Sequence, residues 1–334
     1  MPAPITQPLH STTISAPLAG ANAMSLPFLS ASSGVGPLQV DRDVPIKTWF
    51  GVGGKAHQYA LVRDLSQLQE ALTRDPHLRL LGDGANLLVD DQGVDGLVVK
   101  FADTLCACTI DDKATGRVFV GAGAHLFKVM NTTVAAGLGG LEVLAGIPAC
   151  MGGAIVMNAG GAFGQIADVV HRVFALRRDD PRTLLEIPRD RIAFSYRHSG
   201  LNDLVIVGAE LKLVPGDVSA LELRKREIND YKRRTQPMSA CSAGCCFKNP
   251  VLAKAIEGIG NAGDRVSAGK LIDIAGLKGT THGSAIVSPL HGNFLLSSDP
   301  ATGNARDVIE LIERVQRSVH EKLGVQLERE VVIW

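Results

Sequence analysis

RVFVGAGAHLF, residues 117–127, decides the fold, because it reads as a strand running through a glycine turn into a helix. A dinucleotide fingerprint of that shape needs a third glycine so that helix and strand can pack closely, and Leu126 stands there instead. LGDGANLL fails the same test at Leu87. Working outward, the order is α+β in segregated blocks rather than alternating βαβ units, which speaks against a doubly wound sheet. Upstream, AHQYALV (56–62) reads as a strand, DLSQLQEALTR (64–74) as a capped amphipathic helix and LRLLG (78–82) as a buried strand. GLVVKF (96–101) and LCACTI (105–110) continue as strands, and HLFKVMNTTVAAGL (125–138) is a helix ending at glycine. VVHRVFALRR (169–178), TLLEIP (183–188) and LVIVGAELKLV (204–214) form a second group of strands, closed by the charged helix SALELRKREINDYKRRT (219–235). A smaller α+β unit follows, with the helix SAGKLIDIAG (267–276) and strands around SAIVS (284–288) and NFLLS (293–297). RDVIELIERVQRSVHEKLG (306–324) is strongly amphipathic, with Val308, Leu311, Ile312, Val315 and Val319 on one face, and VQLEREVVIW (325–334) reads as a strand.

Composition narrows the function. The 34 basic residues match the 34 acidic ones, so no global charge draws the chain to nucleic acid or acidic membranes. Aromatics at 4% argue against base-stacking platforms. No run of about 18 apolar residues, the length of a membrane span, occurs. Residues 1–36 carry Pro, Ser, Thr and Ala but no Lys or Arg, which suits a flexible tail better than a signal peptide. The six cysteines include no CxxC pair, so a reducing cytoplasm is a simpler reading than a disulfide framework or structural zinc.

Several residues are candidates for chemistry. Glycine turns between apolar strands expose amides that can cradle a pyrophosphate. Cys245 follows Gly244 with Lys248 three residues on; a thiol beside a cation should ionise more readily and could act as nucleophile or acid. A metal ligand, a redox switch or a small buried hydrophobe are the alternatives. YRHS (196–199) and the cluster Lys232–Arg233–Arg234 suit phosphate, or equally a surface salt bridge and a solvated helix end. Glu328 and Glu330 lie two apart, so in a strand they share a face, which an edge strand would simply solvate. The residues alone give a phosphate-binding α+β enzyme.

Taken in order, the motifs resemble the UDP-N-acetylenolpyruvoylglucosamine reductase family, the MurB-type flavoenzymes. The matching stretches are TWFGVGGKA (48–56), LGDGANLLVDDQGVDGLVV (81–99), GLGGLEVLAGIPACMGGAIVMNAGG (137–161) and FGQIADVV (163–170). YRHS (196–199), Gln236–Pro237, GCCFKNP (244–250), SAGKLIDIAGLKG (267–279), VSPLHGNFLL (287–296) and GVQLEREV (324–331) continue the series. With only VPGDV (214–218) between Leu213 and the charged helix, the chain is similar to the shorter, second type of the family.

The resemblance implies an α+β fold: a two-part FAD-binding module of the vanillyl-alcohol-oxidase (PCMH) type plus a smaller α+β substrate-binding domain. The implied division is 37–105 and 106–217 for the two halves, 218–324 for the substrate domain, with 325–334 returning to the first half. It implies non-covalent FAD, NADPH as hydride donor, and reduction of UDP-N-acetylglucosamine enolpyruvate to UDP-N-acetylmuramate for peptidoglycan precursor synthesis. A cytoplasmic monomer or weak oligomer without nucleic-acid or membrane partners, and with no metal, goes with it. Arg197, Cys245 and Glu330 take the catalytic places, Cys245 standing as proton donor where the family usually has serine. The cofactor falls to Gly51, Val52, Gly53, Gly54, Gly82, Asp83, Gly84, Ala85, Asn86, Gly121, Ala122, Gly146, Ile147, Pro148, Gly152, Gly153, Ala154, Asn158, Ala159 and Gly160. Tyr196, Lys232, Arg233, Gln236, Lys248, Asn249 and His291 fall to the substrate, with Lys248 expected on its phosphate rather than on the sulfur. A sugar-alcohol oxidase of the same fold and a nucleotide-sugar-binding regulator without activity are the competing readings.

Overall fold

The structure, a computed structural model, describes residues 26–29, 35–299 and 301–334. Most of the expected tail lies outside those residues. Where it is described, the expectation is corrected: Leu26 and Phe28 are buried, and the Phe28 ring meets Phe174 with centroids 5.4 Å apart. Two large apolar side chains in an otherwise small and polar stretch gain more by leaving water than the segment gains from staying loose.

The first unit holds β1 (Val44–Pro45), β2 (Lys55–Val62), α1 (Leu65–Arg74), β3 (Arg79–Leu81), β4 (Leu87–Leu88) and β5 (Val94–Phe101). Its sheet runs β1-β2-β5-β3, with β2, β5 and β3 mutually parallel. A βαβ element therefore survives locally inside the α+β whole. Asp64 caps α1 by accepting from Gln67 N at 3.0 Å, as the sequence indicates.

The second unit comprises β6 (Cys108–Asp112), β7 (Arg117–Gly121), α2 (Leu126–Ala135), β8 (Leu138–Gly139), α3 (Met151–Val156), β9 (Gly160–Gly161), β10 (Gly164–Gln165), β11 (Val170–Arg177), β12 (Leu184–Pro188), β13 (Leu204–Lys212) and β14 (Val214–Pro215). Five strands form an antiparallel sheet, β12-β11-β13-β7-β6. The strand expected over 105–110 begins only at Cys108, because Asp103–Cys106 turns as a 3-10 helix.

The third unit holds α4 (Val218–Thr235), α5 (Ala268–Ile274), β15 (Thr281–His282), β16 (Ala285–Val287), β17 (Leu295–Ser297), α6 (Ala305–Leu323) and β18 (Val332–Ile333). All five apolar residues named on the face of α6 are fully buried. The last segment is not the long strand expected. Only Val332–Ile333 pairs as a strand, parallel to Leu87–Leu88, while Glu328–Val331 hangs by single backbone bonds from residues 246–248. No helix among the described residues is long and apolar enough to cross a membrane.

Candidate active site

Three segments far apart in the chain meet at one place. Ser195 and His198 pair across a tight turn that leaves Arg197 at φ 56°, a conformation costing a non-glycine residue about 1–3 kcal/mol. The strain aims the guanidinium inward. Arg197 Nε donates to Glu330 Oε1 at 2.5 Å and Nη1 to Gly160 O at 3.0 Å. Glu330 in turn is fixed by its backbone: its N–H donates to Cys246 O at 2.8 Å, and its carbonyl accepts from Asn86 Nδ2 at 3.1 Å. Cys245 is one residue from that anchor. The guanidinium, the thiol and the carboxyl thus lie close enough to act on one another electrostatically.

Electrostatics then sets their protonation. Cys245 is partly exposed, yet protein crowds its sulfur on nearly every side. Burial first, and the Glu330 carboxyl second, push its thiol up to about 12, against the opposing pull of Arg197, Asn293 and Lys232. The expected easier ionisation is therefore reversed. Lys248, the cation behind that expectation, turns to Glu328 instead, Nζ to Oε1 at 2.5 Å. Burial also raises Glu330, with Arg197 pulling the other way. Among the described residues its buried Oε2 has no hydrogen-bond partner. A buried orphan oxygen costs about 1–3 kcal/mol, and a bound group can relieve that cost. Lys232 is brought down to about 8 by burial, against Cys245, with Arg197 assisting.

The glycine loops lie side by side. Trp49 N donates to Gly84 O at 3.1 Å, Met151 N to Ala124 O and Gly152 N to Ala122 O, both at 2.8 Å. A Cβ on Gly84, at φ 67°, would lie 2.5 Å from Lys47 O, so glycine there lets two loops touch. Gly121 has the same explanation, with Leu105 O at 2.2 Å from a Cβ, and needs no ligand to account for it. A Cβ on Gly153, by contrast, would meet nothing within 4 Å, leaving backbone open to an approaching ligand. An accessible glycine backbone at Gly153 and an orphan carboxyl oxygen at Glu330 each fit a bound FAD, with the loops holding it through main-chain groups. Asp83, His125 and Cys150 bring ligand atoms within 4.8 Å of one another in this cradle. Burial pushes the Cys150 thiol up to about 12, so the trio is a loose Asp83–His125 pair, 3.5 Å apart, beside a neutral thiol.

Several expected residues are placed differently. Asn158, assigned to the cofactor, is buried, and both its N–H donors are used inside the protein, on Gln165 Oε1 and Ser195 O at 2.9 Å each. It supports the turn that presents Arg197. Arg233 points into solvent with Asp230, so of the basic cluster Lys232 alone faces the site, its stem 2.9 Å from where a Cβ on Gly146 would stand. Glu328 and Glu330 do not share an environment: the first is exposed on Lys248, the second enclosed on Arg197. Asn249 N donates to the Tyr196 hydroxyl at 3.1 Å, which joins two of the expected substrate residues, and His291 sits nearby in the turn before Phe294. Gln236 ends α4, its N–H on Lys232 O. Arg265, stacked 4.4 Å over Tyr196, and Asn293 were missed. The Gly-Asn turn before a strand was the only signal for Asn293; Arg265 gave none.

The C-terminal domain family of UDP-N-acetylenolpyruvoylglucosamine reductase matches residues 236–334, and the FAD binding domain family matches residues 58–180. UDP-N-acetylenolpyruvoylglucosamine reductase of Phenylobacterium zucineum is 36% identical over 298 residues, covering 87% of this chain and 93% of that protein. The enzyme of the same description from Moorella thermoacetica is 38% identical over 305 residues, covering 89% and 94%. The crystal structure of the Thermus caldophilus reductase superposes with a TM-score of 0.74 at 35% identity, over 89% of this chain and 99% of that one.

Proposed function

The chain belongs to the UDP-N-acetylenolpyruvoylglucosamine reductase family, and from that premise we propose that it reduces UDP-N-acetylglucosamine enolpyruvate to UDP-N-acetylmuramate with NADPH and FAD. In this reading residues 37–105 and 106–217 form the cofactor module, 218–324 the substrate domain, and the returning terminal segment supplies Glu330. The loops at 51–54, 82–86, 121–122 and 146–154, with Ala159 and Gly160, hold FAD non-covalently. FAD, when bound, supplies the hydride that the enolpyruvyl group receives at its terminal carbon.

What this chain does is manage the charge that follows. Electron density builds on the neighbouring carbon and the substrate carboxylate, and the preorganised Arg197 guanidinium stabilises it. Glu330 carries or shares a proton, since two bare carboxylates in contact would repel, and its raised affinity for a proton supports that role. Cys245 then gives its proton to the carbanion-like carbon. A thiol held protonated can donate; a thiolate cannot. Lys232, Lys248, Gln236, Asn249, Tyr196 and His291 bind the nucleotide-sugar, with Lys248 exchanging Glu328 for phosphate. The observation that carries the reading is the Arg197–Glu330 contact, with its orphan Oε2, tied by the Glu330 N–H to Cys246 beside Cys245.

The test is anaerobic. NADPH should bleach the flavin, and enolpyruvate substrate should restore its absorbance. Cys245→Ala should leave the first half-reaction intact and slow the second; two unchanged half-reactions would remove Cys245 from the chemistry. A sugar-alcohol oxidase would turn over with oxygen and no NADPH, and a regulator would be colourless.

A further inference from the structure

One carboxamide grips the extended segment that carries Cys245. Asn293 Oδ1 accepts from Phe247 N at 2.9 Å while its Nδ2 donates to Phe247 O at 2.8 Å, and its main-chain carbonyl accepts from Cys246 N at 2.9 Å. Asn293 is 2% exposed, and its own N–H donates to His291 Nδ1 at 3.2 Å. The next residue, Phe294, bridges to Cys245 itself. On the far side of the same segment, Cys246 O accepts from Glu330 N and Val331 N. Residues 245–247 are therefore clasped between the Asn293 turn and the segment bearing Glu330.

A residue that merely filled space here would be apolar. Two opposed bonds from a single amide to one residue fix the rotation of the peptides around it, which sets where the neighbouring side chains point. We propose that Asn293 is a positioning residue that aims the Cys245 thiol and keeps it in register with Glu330. The proposal rests on Cys245 being the proton donor. Asn293 holds the segment through Phe247 and Cys246, and its carboxamide also reaches the Cys245 thiol itself.

Wild type, Asn293→Ala, Asn293→Asp, Cys245→Ala and the Asn293→Ala/Cys245→Ala double variant separate the outcomes under anaerobic stopped flow. Flavin reduction by NADPH should match wild type in Asn293→Ala. Reoxidation by UDP-N-acetylglucosamine enolpyruvate should slow about tenfold or more, since a small misplacement of a reacting group costs that much. Its solvent deuterium isotope effect should grow, its half-saturation should stay put, and the double variant should be no slower than Cys245→Ala. Asn293→Asp keeps the acceptor and loses the donor, so it should fall between wild type and alanine, and it carries the test if the alanine variant does not fold. A lowered Tm with a wild-type reoxidation rate and isotope effect overturns the proposal, as does an additive double variant. If Cys245→Ala itself reoxidises at the wild-type rate, the donor reading falls first and this proposal with it.

Discussion

A thiol that titrates near 12 in the folded protein is fully protonated wherever the enzyme would work, so the acid step should not be lost as pH rises through neutrality. With substrate saturating, so that loss of the Lys232 charge near 8 shows only in binding, the reoxidation rate should hold through neutrality, and a fall below pH 8 that Cys245→Ala abolishes would contradict the Cys245 environment. Lys232 titrates the other way. Its depressed pKa means that the folded state favours the neutral amine, so stability is greatest above 10.5 and is lost as pH falls through about 8. Near pH 7 the buried ammonium costs stability. Lys232→Met should raise Tm by about 2 °C at pH 7, lose that gain above pH 10.5, and raise KM for the nucleotide-sugar. Calorimetry at two pH values with steady-state kinetics checks all three. These residues also mark the limit of what the sequence discloses. Arg197, Cys245 and Glu330 could be named from ordered motifs. The direction of the Cys245 shift could not, because Lys248 is its neighbour in sequence but faces Glu328 in space. Asn158 misled for the same reason: a polar residue in a glycine loop looks like a ligand contact until its partners are seen.

At the scale of the elements, the helices were legible and the pairings were not. The apolar face of α6 and the cap of α1 follow from periodicity and one side chain. The terminal segment kept its alternating pattern without forming the strand that pattern suggests, because its backbone bonds go to residues 246–248 and 86–88 rather than to one partner strand. The start of α6 shows another pairing invisible in sequence: Asp91, from the first unit, accepts from Ala305 N at 2.8 Å and Arg306 N at 3.1 Å. A carboxylate there satisfies two helix donors and complements the helix dipole. Asp91→Ala should cost about 0.5–2 kcal/mol by the usual worth of a cap, seen as a lower urea midpoint. Because this cap joins two units, the transition should also broaden; an unchanged midpoint would make the contact incidental.

Across the whole molecule, five thiols are held above their ordinary titration: Cys106, Cys108 at about 11, and Cys150, Cys245 and Cys246 at about 12. Each raised pKa means that the folded state keeps a proton the unfolded chain releases near 9.0. The stability this adds is complete below pH 9.0 and is lost as pH rises towards 12. Tm should therefore decline steadily from pH 9 to 11, and Cys246→Ala should flatten that decline even if it lowers Tm overall. A Tm independent of pH in that window would mean the thiols are not enclosed as the structure has them.

The parallel pairing of Val332–Ile333 with Leu87–Leu88 has a bearing on how the protein is made. During translation β4 emerges early and waits, its edge unmatched, while more than two hundred further residues are added. Contacts of such long sequence separation form slowly. The nascent polypeptide must carry an unfinished site for most of its synthesis, and the carboxyl proposed to complete the catalytic group arrives in the same few residues that pair with β4. Competence and closure are thus a single late event, and a ribosome stalled short of Glu330 would hold a largely folded but inert protein.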